Sequence, residues 1–159
     1  MKAILVLVLM VCGCSKALTD DAVVLLDRES DLEMAVEALE RYQPHVGVSL
    51  AVTRDAKVFA TWDTEERWQV KSVPVGTVFD GDALCVFDAD DSAVGAVTHH
   101  PTKTIYVGEC WPKSRPYVIA HEIGHMVGAS DCEDGVMSWA NPATLNLADV
   151  TKDELRGMY

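Results

Sequence analysis

His121-Glu122-Ile123-Gly124-His125-Met126-Val127-Gly128-Ala129-Ser130-Asp131, followed six residues later by Met137, is the stretch that decides how this chain is organised. On a helix, residues four apart stand one turn above each other on one face, so His121 and His125 direct their imidazoles at a single cation. Zinc accepts neutral imidazole nitrogen at about 2.0–2.1 Å, and a catalytic site uses three protein ligands and keeps one position for water. Gly128 can take the left-handed conformation that ends a helix and turns the chain back. Asp131, three residues on, is then placed to be the third ligand. Glu122, beside the first ligand, faces the open position, where a carboxylate takes a proton from zinc-bound water and passes it to a leaving amine. A bare His-Glu-x-x-His string also arises by chance on exposed helices, but Gly128, Asp131 and Met137 make the longer pattern far more specific. Gly124 sits mid-helix at a cost of about 1 kcal/mol relative to Ala.

The segment from His121 to Met137 resembles the metzincin clan of zinc metallopeptidases, whose usual pattern is His-Glu-x-x-His-x-x-Gly-x-x-His above a methionine turn. Here Asp131 stands at the third ligand position, an exchange similar to that of the small snapalysin-like secreted proteases. The resemblance implies His121, His125 and Asp131 as ligands of one catalytic zinc, Glu122 as the base, and Met137 in Gly135-Val136-Met137-Ser138 beneath the site. The six-residue step from Asp131 to Met137 is short for the clan. Trp139 occupies the position where some members carry a metal-touching tyrosine, so an oxyanion stabiliser of that kind is unassigned. An anionic third ligand also leaves a metal less positive than three neutral histidines would. A thermolysin-like arrangement, with a distant glutamate as third ligand, would use Glu154.

The first fourteen residues concern location. Lys2 precedes an apolar run from Ala3 to Val11, which is short of the roughly 20 residues that span a bilayer and fits the hydrophobic part of a signal peptide. Val11-Cys12-Gly13-Cys14 resembles a bacterial lipobox, with cleavage after Gly13 and lipidation of Cys14; an ordinary secretory signal is the alternative. Either way export is expected, and with two or more acyl chains on Cys14, stable anchoring to a membrane. Ser15 rather than Asp after that cysteine points to the outer membrane in a Gram-negative host. The domain reading is therefore a signal peptide at 1–13, a lipidated N-terminus and tether at 14–29, and a zinc metallopeptidase domain at 30–159. Val23 to Leu26 is apolar enough to dock on that domain.

Export changes the meaning of the cysteines, because disulfides persist in oxidising compartments. Cys85, Cys110 and Cys132 remain after processing, and one bridge with one free thiol is the simplest arrangement; the sequence does not decide the pairing. Cys110 and Cys132 flank a helix about 21 Å long, which disfavours joining them. Cys85 with Cys110, each in or beside an expected strand, is favoured. Cys132 beside Asp131 is otherwise a secondary metal contact or a structural residue. Removing residues 1–13 takes away Lys2 and moves the formal charge from -12 to -13. So acidic a surface argues against nucleic acid and anionic lipid as partners. Roughly 145 mature residues suit one domain with an ordinary core.

Along the chain, Ser30 with Glu33 forms a capping-box pattern opening a helix to about Tyr42, with Leu32, Ala35, Val36 and Leu39 on one side. Val46, Val48, Leu50 and Val52 alternate as a half-buried strand, and Ala83 to Phe87 reads as another. Further strand is expected at Val58 to Ala60 and at Trp68 to Val70. Val94 to Thr98 and Thr104 to Gly108 pair around Pro101. Ser114 to Met126 is the zinc helix, with Pro116 tolerated in its first turn. Thr151 with Glu154 repeats the capping box and starts a closing helix. The fold class is α+β: a twisted mixed sheet of four to five strands with an active-site helix and a C-terminal helix, similar to a minimal metzincin domain. That resemblance makes Ala93 to His99 the edge strand with which an extended substrate pairs, and backbone pairing gives affinity with little sequence preference. Ser138 to Pro142 would wall a specificity pocket.

His99, His100 and Trp139 are candidate substrate contacts, the histidines otherwise loop residues and Trp139 otherwise core. His45 beside Pro44 reads as structural. The acidic runs Asp80 to Asp82 and Asp88 to Asp91 carry the oxygen ligands calcium takes, but neither has EF-hand spacing, and solvated turns are the default. The expected activity is zinc-dependent endopeptidase hydrolysis of peptide or protein, by Glu-assisted attack of zinc-bound water. A zinc-containing lipoprotein that binds peptide without cutting it is the alternative, which would have no need of Glu122.

Overall fold

A run of β-branched and apolar residues, Ala22-Val23-Val24-Leu25, builds the strand around which the sheet is organised. The computed structural model describes residues 16–87, 89, 93–138 and 142–159. In chain order its elements are β1 (Ala22–Leu25), α1 (Leu32–Tyr42), β2 (Leu50–Thr53), α2 (Ala56–Thr61), β3 (Glu66–Val73), β4 (Val78–Phe79), β5 (Asp82–Ala83), β6 (Ala96–His99), β7 (Thr104–Gly108), α3 (Arg115–Met126) and α4 (Asp149–Met158). The main sheet runs β2-β1-β3-β7-β6. β1 is parallel to β2 and β3, and β3 to β7, while β6 turns back antiparallel on β7 and forms an edge. The expected mixed sheet, site helix, closing helix and edge strand are therefore all present.

α1 packs on β2 and on α3, and α3 packs on β6 and β7, so both helices cover the same face of the sheet. Ile119, Ile123 and Met126 lie one turn apart on α3 and are fully buried. At about 1.5–3 kcal/mol for each such side chain, they fix the rotation of α3, and with it the direction in which His121 and His125 point. The start of α3 is fixed by charge. The buried guanidinium of Arg115 donates to both carboxylate oxygens of Asp31 at 2.8–3.1 Å, to Asp27 at 3.3 Å and to Ser72 Oγ at 2.9 Å. A cation at a helix N-terminus opposes the helix dipole, and the two carboxylates offset that.

Several expectations are corrected. The span 14–29 is not a tether throughout: Ala22–Leu25 is an interior strand of the sheet, and Asp27 belongs to the Arg115 cluster. Neither capping box forms. A 3-10 turn at Glu29–Asp31 precedes α1, and Asp31, at its N-cap position, is engaged by Arg115. Thr151 lies buried inside α4, which begins after Ala148. Residues 58–60 are helical, because the Asp55 carboxylate caps α2 by accepting from the Lys57 and Val58 amides. Ala83–Phe87 does not continue as strand. β5 ends at Ala83, and Cys85 takes a positive φ of 63°. The expected strand from Val46 starts only at Leu50, after the Gln43 amide has bonded the Val48 carbonyl and the Leu50 amide. Asp80-Gly81 forms the tight turn between β4 and β5, both residues at positive φ. The favoured bridge, Cys85 to Cys110, is made, with Cα atoms 5.5 Å apart, and Cys132 is free.

Candidate metal centre

The C-terminus of α3 sets the site. Gly128 adopts φ 102°, its amide bonds the His125 carbonyl at 3.1 Å, and the Ala129 amide reaches back to the Gly124 carbonyl at 2.9 Å. These are the two bonds of a Schellman motif. The turn delivers the Ala129 carbonyl to His125 Nδ1 at 2.9 Å. His121 is treated the same way from another direction: the Val136 carbonyl, in the turn before Met137, lies 2.9 Å from its Nδ1. That turn is itself held by Cys132 N to Met137 O and Val136 N to Asn146 O, with Gly135 at φ 75°.

Carbonyls only accept, so both Nδ1 atoms carry their ring's proton, and both Nε2 atoms of the neutral rings present lone pairs. Those lone pairs meet. His121 Nε2 and His125 Nε2 are 3.1 Å apart, and Asp131 Oδ1 lies 3.1 Å from the first and 3.2 Å from the second. Three acceptors this close repel unless a cation stands among them. Three ligand atoms held tetrahedrally at about 2.0–2.1 Å from one zinc would be spaced about 3.3–3.4 Å, so the triangle fits zinc to within a few tenths of an ångström. Without a metal, a proton takes the cation's place. Burial alone would lower the His125 pKa, but hydrogen bonding to Asp131 and the charges of Glu122 and Asp131 raise it to about 9. Hydrogen bonds from His121 and His125 hold Asp131 well below the usual carboxylate range.

His121, Glu122 and His125 offer ligand atoms within 4.8 Å of one another. Asp131 is nonetheless the better third ligand than Glu122, because its oxygen is equidistant from both rings, whereas the buried Glu122 carboxylate turns to Thr98. Thr98 Oγ1 lies 2.6 Å from Glu122 Oε2 and 2.9 Å from Glu122 O. No feature of the Ala96-Val97-Thr98-His99 string marks Thr98, and its role was not read from sequence. The Val136 and Ala129 carbonyls were equally invisible. Met137 is fully buried under the helix, its sulfur 3.3 Å from the Tyr42 hydroxyl, which donates to Ala120 O at 3.0 Å.

The other candidates have partners of their own. Glu154 accepts from the Ser130 amide and hydroxyl at 2.9 and 2.6 Å, pinning the loop after α3. Cys132 donates to Asp134 O within its own turn. His100 stands edge-on to Trp68 and is hydrogen-bonded to the backbone of His125, beside the site; burial, then the charge of His125, lowers its pKa. His99 Nδ1 bonds Thr102 Oγ1 at 2.7 Å. Trp139, Cys14 and Asp88, Asp90 and Asp91 lie outside the described residues. A surface hollow of about 260 Å³ lined by Tyr117, Ala143–Asn146 and α1 residues lies a helical turn before His121, and is lined by none of His121, His125 and Asp131.

No protein-family model matches this chain, and no curated protein does. Among solved structures, it is similar to the crystal structure of archaemetzincin from Methanopyrus kandleri, with a TM-score of 0.45 and 14% identity over 94% of this chain and 98% of that one.

Proposed function

We propose that this chain is a zinc-dependent endopeptidase, exported and anchored to a bacterial membrane through a lipid on Cys14. The observation that carries the reading is the convergence of His121 Nε2, His125 Nε2 and Asp131 Oδ1 at 3.1–3.2 Å, with a buried carboxylate at Glu122 beside them. Zinc, when held, supplies a Lewis acid that acidifies water and polarises a peptide carbonyl. The Val136 and Ala129 carbonyls keep the two rings in the tautomer that binds metal and fix their planes. Asp131 adds one negative charge, so the donor set offsets half of a dication's charge. Glu122 takes the proton of the attacking water on its carboxylate and hands it to the leaving amine nitrogen. The outer edge of β6 offers main-chain groups to an extended peptide, with side-chain pockets left to set preference.

Anchoring and export are supported by residues 1–14, and a disulfide between Cys85 and Cys110 suits an oxidising compartment. A peptide-binding lipoprotein without activity would have no use for a carboxylate at Glu122. The test is zinc stoichiometry and cleavage of a broad peptide library by the soluble form from Ser15, beside Glu122→Ala. One zinc in each, with cleavage by the parent alone, is expected. Zinc in both without cleavage would favour the binding module, and absence of zinc would remove the reading.

A further inference from the structure

Glu122 is 6% exposed, and a carboxylate so buried needs a hydrogen-bond donor. Thr98 provides one, from β6. The two strands of the β6–β7 pair place Thr98 opposite Ile105, and β6 packs on α3, so the hydroxyl reaches the helix directly. We infer that Thr98 is a positioning residue for the general base: its hydroxyl clamps the Glu122 carboxylate against the edge strand, so that the base is set before a peptide arrives. The catalytic consequence rests on the peptidase reading; the contact itself does not.

The geometry has a further property. Thr98 Oγ1 has one proton and two acceptors within reach, Glu122 Oε2 at 2.6 Å and Glu122 O at 2.9 Å. While the carboxylate is charged, the proton points at Oε2. The proton that Glu122 takes from water goes to its other oxygen, the one that Thr98 does not hold, so the bond to Oε2 stays in place. The clamp thus survives both halves of the proton transfer with no heavy atom moving. It also ties the base to the strand that a peptide would extend.

The test compares Thr98→Val, which keeps shape and removes the hydroxyl, with Thr98→Ser, which restores it, both in the full chain loaded with zinc. Thr98→Val is expected to lose at least about tenfold in kcat, out of the roughly 10²–10⁴ that a placed base contributes, with KM and zinc content unchanged. Thr98→Ser should recover most of it. A second readout needs neither metal nor activity: a double-mutant cycle with Glu122→Ala, read as the urea midpoint of the zinc-free protein. The midpoint shift caused by Thr98→Val should shrink when Glu122 is absent. Equal shifts in both backgrounds overturn the contact, and a Thr98→Val enzyme with parental kcat overturns the positioning role while leaving the peptidase reading intact. A parent that cleaves nothing overturns that reading and the catalytic half of this inference together, whereas the cycle still decides the contact. Should Thr98→Val fail to fold, Thr98→Ala makes the same comparisons.

Discussion

Gly124→Ala sets two effects of opposite sign against each other. In an exposed helix the change would stabilise by about 1 kcal/mol. Here a Cβ at Gly124 would sit 2.1 Å from Met137 Sδ, 2.5 Å from the Tyr42 hydroxyl and 3.0 Å from Met137 Cε. A thioether end normally swings away cheaply, but Met137 and Tyr42 are both fully buried, leaving it nowhere to go. Overpacking of this kind costs about 1–3 kcal/mol. Displacing the Tyr42 hydroxyl from the Ala120 carbonyl adds about 1–3 kcal/mol more for the group left unpaired. The expected net loss is about 1–5 kcal/mol, seen as a fall of about 3–15 °C in the melting temperature of the zinc-free protein. Zinc affinity should fall too, because Met137 follows directly on the Val136 carbonyl that orients His121. Met137→Ala in the same chain should relieve part of the penalty, so the double variant should be more stable than the sum of the two single losses. A Gly124→Ala protein that melts higher than the parent would refute the packing argument.

Asp131→Ala should weaken zinc by more than the roughly 10–100-fold that losing an outer partner costs, while Glu154→Ala leaves zinc affinity nearly unchanged; equal effects in a zinc titration would contradict the assignment of the third ligand. Because zinc must displace the proton that His125 holds up to about pH 9, binding at pH 7 should release close to one proton, measurable by calorimetry in buffers of different ionisation enthalpy, and affinity should climb with pH and level off near 9. The same raised pKa means that the pair stabilises the zinc-free protein fully between about pH 4, where Asp131 is still charged, and about pH 6.5, and ceases to do so as pH rises through 9; a denaturation series across that range reads it. Tyr159→Phe removes a hydroxyl that accepts from the Leu18 amide at 2.8 Å and donates to the Val127 carbonyl at 3.0 Å. Since that ring is 36% exposed and water can replace it, about 1 kcal/mol of stability should be lost.

The metal-site pattern was legible because it is local: an i, i+4 histidine pair on a helix, a glycine able to turn at 128 and an aspartate three residues further are all properties of one short stretch. The β6–β7 hairpin was legible for the same reason, as two apolar runs separated by a proline turn. What escaped depends on partners distant in sequence. Ser30 with Glu33 and Thr151 with Glu154 have capping spacing, yet Arg115, 84 residues from Asp31, captures the first helix entry, and Ser130 captures Glu154. Val58-Phe59-Ala60 has the composition of a strand, yet the Asp55 carboxylate caps it as a helix. Residues 22–25 look like a tether when read from the end of the chain, and like an interior strand only when β2 and β3 stand on either side. Thr98 and the Val136 carbonyl carry no signature at all, since they become functional only through the fold.

The two histidines are held by a helix and by bonded ring nitrogens, whereas the Asp131 side chain is 53% exposed and rides on the loop beyond Gly128. Two of the three candidate donors are thus enclosed by the fold and the third faces water. Metal exchange would therefore follow the Asp131 side, its rate set by the opening of that short loop and not by the helix. Chelators small enough to meet the ion there would strip it faster than the equilibrium affinity suggests, and anything that stiffens the Ser130–Glu154 latch would lengthen the residence time of the metal without touching a ligand.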